Sequence, residues 1–303
     1  MDIAIMIEGQ NGLTWPRWQK IAEAVEDLGF AGLYRSDHFT NADAPDKDSL
    51  ELWTSLTWLA SHTKRIKFGS LVSPVSFRHP AMTTRMATAV DDLSGGRLTL
   101  GLGAGWQERE HALFGFDLLG TKARFDRFEE GLEVITRLLG SNEPVTFEGK
   151  YYQLCEATLL PRPQRPRGPS LLIGGNGEKY TLPLVAKYAD EWNAIFAPPM
   201  ELNRLNGQLD EMLRAQGRAP SSVRRSMMTG LRFGRTRKEL DEKLSARGQT
   251  ADELRKRGII VGMRGEIKEQ LTELEKTGLQ GVMLQWLDLE DLKRLAALAK
   301  CVL

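Results

Sequence analysis

Apolar and polar positions divide the chain into repeated strand–helix units. Ile3, Ile5 and Ile7 recur at every second position, the period of a strand. Trp18, Ile21, Ala22, Val25 and Leu28 follow at three- and four-residue spacing and predict a helix with one apolar face. Thr14 is placed to cap that helix, Pro16 sits in its first turn and Gly29 stops it. The pattern then repeats. Strands are predicted over Ala31–Arg35, Ile66–Val72 and Leu98–Leu102, with helices over about Leu50–Ser61 and from Pro80 onward. In the fourth strand Leu98, Leu100 and Leu102 alternate with Thr99, Gly101 and Gly103, and a polar run, Trp106–His111, follows. Further along come a helix at Phe125–Leu139, a hairpin at Val145–Leu154 and a proline-rich run, Pro161–Pro169. The alternation resumes with strands Ser170–Ile173, Glu191–Ile195, Arg225–Phe233 and Gly281–Trp286. Helices are predicted over Glu178–Tyr188, Met200–Gln216, Arg264–Lys276 and on to Lys300.

Strict alternation implies parallel strands joined by right-handed crossovers. Eight such units predict an α/β fold, a (β/α)8 TIM barrel forming one domain over 1–303. Insertions are expected near 36–48, 104–122, 142–169 and 234–262. An open doubly wound sheet is the alternative.

Composition narrows the partners. The 41 Lys+Arg balance 40 Asp+Glu, so no strong field points to nucleic acid or an anionic membrane. Cys155 and Cys301 form no metal or redox motif, which fits a reduced, cytoplasmic protein. Met1–Ile7 runs straight into a strand, so no signal peptide is expected, and no apolar run approaches the ~20 residues that span a bilayer.

Barrel chemistry gathers at the C-terminal strand ends. Polar clusters fall there at Asp37-His38, Ser70 to Ser73, Trp106 to His111 and Gly174 to Lys179. Gly101, Gly103 and Gly105 lack a Cβ and would let a flat ligand approach the backbone. Those three glycines do not make a dinucleotide fingerprint, and Gly174-Gly175-Asn176-Gly177-Glu178-Lys179 is not a Walker loop, yet that second stretch opens a helix after a strand, where a phosphate is favoured. Asp37 could position the His38 ring. His62 reads as structural, His79 as a loop residue before Pro80, and His111 as either a site residue or packing under the loop. No zinc spacing and no GxSxG elbow is present, so neither a metal site nor a serine hydrolase is expected.

These pieces together resemble the bacterial luciferase-like flavin monooxygenase family, in its branch of oxidoreductases dependent on coenzyme F420. The matching stretches are YRSDHF at 34–39, FGSLVSPVSFRHPA at 68–81, LSGGRLTLGLGAGWQEREHALFGF at 93–116, RFDRFEEGLEVI at 124–135 and PSLLIGGNGEKYTLPLVAKYADEWN at 169–193. The resemblance implies a barrel with the flavin at its C-terminal mouth and Asp37 and His38 beside the deazaflavin ring. It implies a non-proline cis peptide at Ser70-Leu71, in a bulge with Ser73 that backs the ring. It implies that Gly103, Gly105 and Trp106 line the ring and that Gly174 through Lys179 hold the cofactor phosphate. Trp106 stands where some sugar-phosphate dehydrogenases of the branch place a catalytic glutamate, a part that Glu108 or Glu110 would take over. A homodimer through helices two and three is also implied, with Trp53 and Trp58 as interface or core.

The expected activity is hydride transfer between coenzyme F420 and a small organic substrate, with His38 handling the proton and Asp37 orienting it. Arg162, Arg165 and Arg167 either lie along the barrel mouth, where they would screen the acidic cofactor tail, or form a solvated basic loop. The alternatives are an FMN monooxygenase, which activates oxygen and needs a reductase, and a non-catalytic flavin-binding protein.

Overall fold

The computed structural model describes residues 1–303. Eight parallel strands close into a barrel: β1 (Asp2–Ile7), β2 (Gly32–Arg35), β3 (Lys67–Ser70), β4 (Leu98–Gly103), β5 (Ser170–Gly174), β6 (Glu191–Ile195), β7 (Arg224–Phe233) and β8 (Gly281–Gln285). Each pairs with the next, and β8 returns to β1 with Met283 opposite Ala4. The helices between them are α1 (Trp15–Leu28), α2 (Leu52–His62), α3 (Pro80–Leu93), α4 (Thr121–Gly140), α5 (Thr181–Tyr188), α6 (Pro199–Ala215), α7 (Arg264–Lys276) and α8 (Leu292–Val302). No helix is long and apolar enough to cross a membrane.

The period-two pattern has a direct structural meaning. Ile3, Ile5 and Ile7 face outward into the layer between strands and helices, while Ala4 and Met6 face inward. Inside the barrel those two meet Tyr34, Leu71, Leu172 and Met283, so the lumen is a packed core and no pore. Both faces of each strand are therefore buried.

Two expectations need correction, and two of the expected insertions carry structure of their own. The non-proline cis peptide is Leu71-Val72, one residue beyond Ser70-Leu71, because the Leu71 N–H still donates to the Arg35 carbonyl (2.8 Å) and the ladder ends only there. The arginine stretch lies at the opposite end of the barrel from the mouth. It feeds the start of β5, and a segment that enters a strand must approach that strand's N-terminal end. Arg165 binds Asp91 there (2.7 and 2.9 Å), and Arg162 donates to the carbonyls of Ser141 and Asn142, so neither reaches a ligand at the mouth. The 104–122 connection contains a short helix, Glu108–Phe114, stopped by Gly115 in a left-handed conformation (φ 72°). The 234–262 insertion folds as two helices, Arg237–Ser245 and Ala251–Lys256, and a strand, Ile260–Gly262, that pairs with the top of β7.

Trp53 is buried in the main core, whereas Trp58 is half-buried between Trp15 and His62. His62 and His79 are structural: His62 bonds the Trp58 carbonyl (2.8 Å), and His79 caps α3 through the Ala81 N–H (3.2 Å).

Gly69 and Gly101 are the tightest points of the barrel wall, since a Cβ on Gly69 would lie 2.0 Å from the Thr99 carbonyl oxygen and one on Gly101 would lie 2.1 Å from that of Ser70. Neither strand can yield, so Gly101→Ala is expected to cost at least about 3 kcal/mol. Gly207→Ala, on an open face of α6, meets nothing within 4 Å. It is expected to stabilise by up to about 1 kcal/mol. Urea unfolding of the two variants checks both; equal effects would mean that the β3–β4 contact is looser than described.

Candidate active site

β2 delivers Asp37 and His38 to the mouth, and β4 delivers Trp106 and the short helix Glu108–Phe114. Burial along that helix is one-sided. Gln107, Glu110 and His111 turn inward, while Glu108 is exposed. The inward group stitches the two loops together. Gln107 Nε2 donates to the Thr40 carbonyl and hydroxyl (both 3.0 Å), and Arg109 donates to Asn41 O (3.0 Å) and Asp46 (2.7 Å). The fully buried Glu110 bonds His38 Nδ1 through Oε1 (2.8 Å) and accepts the Phe39 N–H through Oε2 (3.0 Å).

The carboxylate that orients His38 is therefore Glu110, and Asp37 is engaged elsewhere. Asp37 accepts from the Ser73 hydroxyl (2.6 Å) and forms an ion pair with Arg78, which also reaches Glu51 (3.0 Å). Asp37 turns away from the imidazole because a buried carboxylate takes the strongest donors in reach, here a guanidinium and a hydroxyl. Burial pushes the Asp37 carboxyl up, against the pull of Arg78, Ser73 and Arg35. Burial also works against the Arg78 guanidinium, which Asp37 and Glu51 nevertheless hold above its ordinary value.

Trp106 is 61% exposed and meets the His38 ring edge-on, with centroids 5.6 Å apart. His38 is thus fixed on one side by Glu110 and flanked by an indole, with Nδ1 occupied and Nε2 the nitrogen left for a ligand. Burial disfavours the imidazolium. The hydrogen bond and charge of Glu110, with the charges of Glu8 and Asp37, outweigh it, and the His38 pKa stands above its ordinary value. His111 packs under the loop, bonding Gln107 O (2.7 Å) and Ser76 Oγ (2.8 Å).

The glycines make room for protein more than for ligand. A Cβ on Gly103 would lie 2.7 Å from Val72 Cγ2, and one on Gly174 would lie 3.0 Å from Val72 Cγ1. Gly105 (φ 88°) sits against His111 and Ser76. Ser70 stays inside the wall, its hydroxyl donating to Gly101 O (2.7 Å), and Leu71 belongs to the inner core. In the 174–179 loop Asn176 ties to Ile195 of β6 (2.7 and 2.9 Å), and Glu178 is held by Arg204 (2.8 Å) and Gln208 (2.7 Å). The backbone N–H groups of Gly177, Glu178, Lys179 and Tyr180 donate to no protein acceptor, and Lys179 lies beside them. A run of free donors before a helix fits a phosphate.

Sequence reasoning missed Arg78 and Glu8 and put Asp37 in Glu110's place. Helical spacing from Gln107 would have separated Glu110 from Glu108.

The His38–Glu110 pair carries a stability signature. The folded pKa of His38 lies above its unfolded value, so the pair's contribution is full below about pH 6.5 and is lost as pH rises through the folded value. Glu110→Gln is expected to lower the ring pKa in an NMR titration and to erase that part of the pH dependence in urea melts. An unmoved ring pKa would assign the shift to Glu8 and Asp37.

Residues 1–251 match the model of the luciferase-like monooxygenase family. An F420-dependent glucose-6-phosphate dehydrogenase of Kineococcus radiotolerans is 32% identical over 219 residues, covering 70% of this chain and 62% of that protein. A 4-hydroxyprotoasukamycin monooxygenase of Streptomyces nodosus subsp. asukaensis is 32% identical over 188 residues, covering 62% of this chain and 49% of that protein. The chain thus spans between half and two thirds of the length of these relatives. The solved structure of an F420-dependent secondary alcohol dehydrogenase with an F420–acetone adduct superimposes with a TM-score of 0.86 at 18% identity, over 99% of this chain and 98% of that one.

Proposed function

The chain belongs to the luciferase-like monooxygenase family, and from that premise we propose that it is an oxidoreductase moving a hydride between coenzyme F420 and a small organic substrate. The observation that carries the reading is the buried Glu110–His38 pair beside Trp106 at the barrel mouth. The relatives and neighbours named for F420 support the cofactor. The single barrel over 1–303 acts as one domain, works in a reducing cytoplasm and pairs as a homodimer across α2 and α3.

The residues present fit the cofactor. The free N–H groups at 177–180, with Lys179, would hold its phosphate. Val72 and Leu71, with Gly103 and Gly105 opposite, would back its ring, and Trp106 and His38 would border the substrate side. Asp37 and Ser73 would fix that wall through Arg78. When bound, the cofactor supplies the hydride chemistry.

His38 supplies the matching proton. Glu110 holds Nδ1, so Nε2 donates or accepts at the substrate heteroatom. A raised pKa keeps the ring protonated over a wider pH range, so it donates the proton when substrate is reduced and takes it back in the reverse direction. Glu108, exposed on the outer face, is no proton donor in this scheme. A second reading, an FMN monooxygenase, rests on the 32% identity to the Streptomyces enzyme.

Parallel fluorescence titrations of the apoprotein are expected to show coenzyme F420 binding at least tenfold tighter than FMN, roughly 1.4 kcal/mol. Equal or tighter FMN binding would replace the reading with the monooxygenase. His38→Ala is expected to lower turnover by ~10²-fold while weakening cofactor binding far less. Unchanged turnover would remove His38 from the proton step.

A further inference from the structure

The base of the barrel, at the end opposite Asp37 and His38, holds a polar cavity of about 140 Å³. Strand register explains its lining. Ala4 and Tyr34 face inward, so Asp2 and Gly32, two positions nearer the strand starts, face inward as well. Pairing carries that rule around the wall: Lys67 of β3 lies opposite Gly32, Thr99 of β4 opposite Gly69, and Glu191 of β6 opposite both Leu172 and Arg224. The bottom layer of the lumen is therefore a ring of charged and hydroxyl side chains.

Most of its charges are matched within the protein. Arg224 pairs with Asp2 (2.9 Å) and donates to Gln280 O (2.9 Å). Arg97 donates to Thr63 (2.7 Å) and to the carbonyls of Ile66 (3.0 Å) and Ala60 (2.8 Å), and Arg165 is held by Asp91. Two groups are left over. Glu191 has a side chain only 8% exposed; its Oε1 has no partner, and its Oε2 lies 3.7 Å from Arg224 Nε, beyond hydrogen-bond distance. Burial pushes the Glu191 carboxyl up, while the Ser226 hydroxyl, Arg224 and Lys67 pull the other way. Lys67 stands exposed at the cavity's open edge, and its ammonium has neither an acceptor nor an ion pair.

The wall thus offers a carboxylate that lacks a donor and an ammonium that lacks an acceptor, and the two do not meet. An unpaired buried charge is costly until a group of opposite sign reaches it. A plain anion would satisfy Lys67 and repel Glu191, and a plain cation would do the reverse. A molecule with one charge of each sign satisfies both. Tyr34 Oη and Thr99 Oγ1, 3.4 Å apart, add hydroxyls to the same space, which has room for several water-sized groups.

We propose that the base of the barrel is a binding site for a small zwitterionic amino acid, its ammonium on Glu191 and its carboxylate on Lys67. The site stands on this cavity alone and does not depend on the cofactor or on the hydride-transfer reading.

Calorimetric titration of the full chain tests it. Glycine, β-alanine and γ-aminobutyrate lengthen the span between the two charges by one methylene at a time, and acetate and methylammonium carry one charge each. Saturable binding of at least one amino acid is expected, at least tenfold tighter than either single-charge ion. Glu191→Gln and Lys67→Met are each expected to weaken it by roughly tenfold, the size of one charge-assisted hydrogen bond. Lys67→Met keeps the apolar stem and removes no contact within the protein, so it carries the test if circular dichroism shows Glu191→Gln unfolded. No saturable binding would leave the cavity to water and overturn the site. Acetate or methylammonium binding as tightly as the amino acid, or an affinity unchanged in folded Lys67→Met, would overturn it as well. Cofactor titrations read the opposite end of the barrel, so neither set of results decides the other.

Discussion

The mouth of this barrel depends on how the chain leaves β3. Ladder pairing runs as far as the Leu71 N–H, and Val72 then turns inward into the space left by two glycines, Gly103 on β4 and Gly174 on β5. One side chain is thereby held by three strands. The chain next comes back to the wall, where Ser73 lies opposite Leu102 and its hydroxyl reaches Asp37. Residues from four consecutive strand ends are fixed relative to one another by this single crossing. A bulkier residue at either glycine would displace Val72 and, with it, Ser73 and the Asp37–Arg78 pair.

Charge at the rim is arranged in short closed circuits. Asp37, Arg78 and Glu51 form one, and Glu110 with His38 and the Phe39 N–H forms another. Burial makes each contact stronger than it would be in water and makes an unpaired member costly. Glu110 acts on His38 because it is inaccessible; Glu108, two residues away and bathed in water, could not shift the ring by the same amount.

The sequence displayed the barrel clearly, because each strand and each helix carries its own period. β6 and α7 fall on the residues that their patterns predicted, Glu191–Ile195 and Arg264–Lys276. The site was legible by position but only partly by partner. Asp37 and His38 are neighbours in the chain, so proximity suggested a pair that alternation along an extended segment then forbids. Their actual partners, Arg78 and Glu110, are separated from them by 41 and 72 residues. The arginines at 162–167 were misplaced for a topological reason: a loop before a strand and a loop after it lie at opposite ends of a parallel barrel.

β7 serves two structures at once. Its lower part pairs with β6 and β8 in the barrel, and its tip, Leu231–Phe233, pairs with the strand Ile260–Gly262 of the insertion. That insertion has a core of its own, in which Leu240, Leu244, Leu254, Ile259 and Val261 pack together apart from the main one. The family match ends at residue 251, inside this segment. A change inside the outlying unit can therefore be absorbed by its own core and by the tip of β7, while the crossing at Val72 and the circuits around Asp37 and His38, which share no residue with it, keep their geometry. One strand with two cores behind it lets part of the rim be reshaped without the strain reaching the rest.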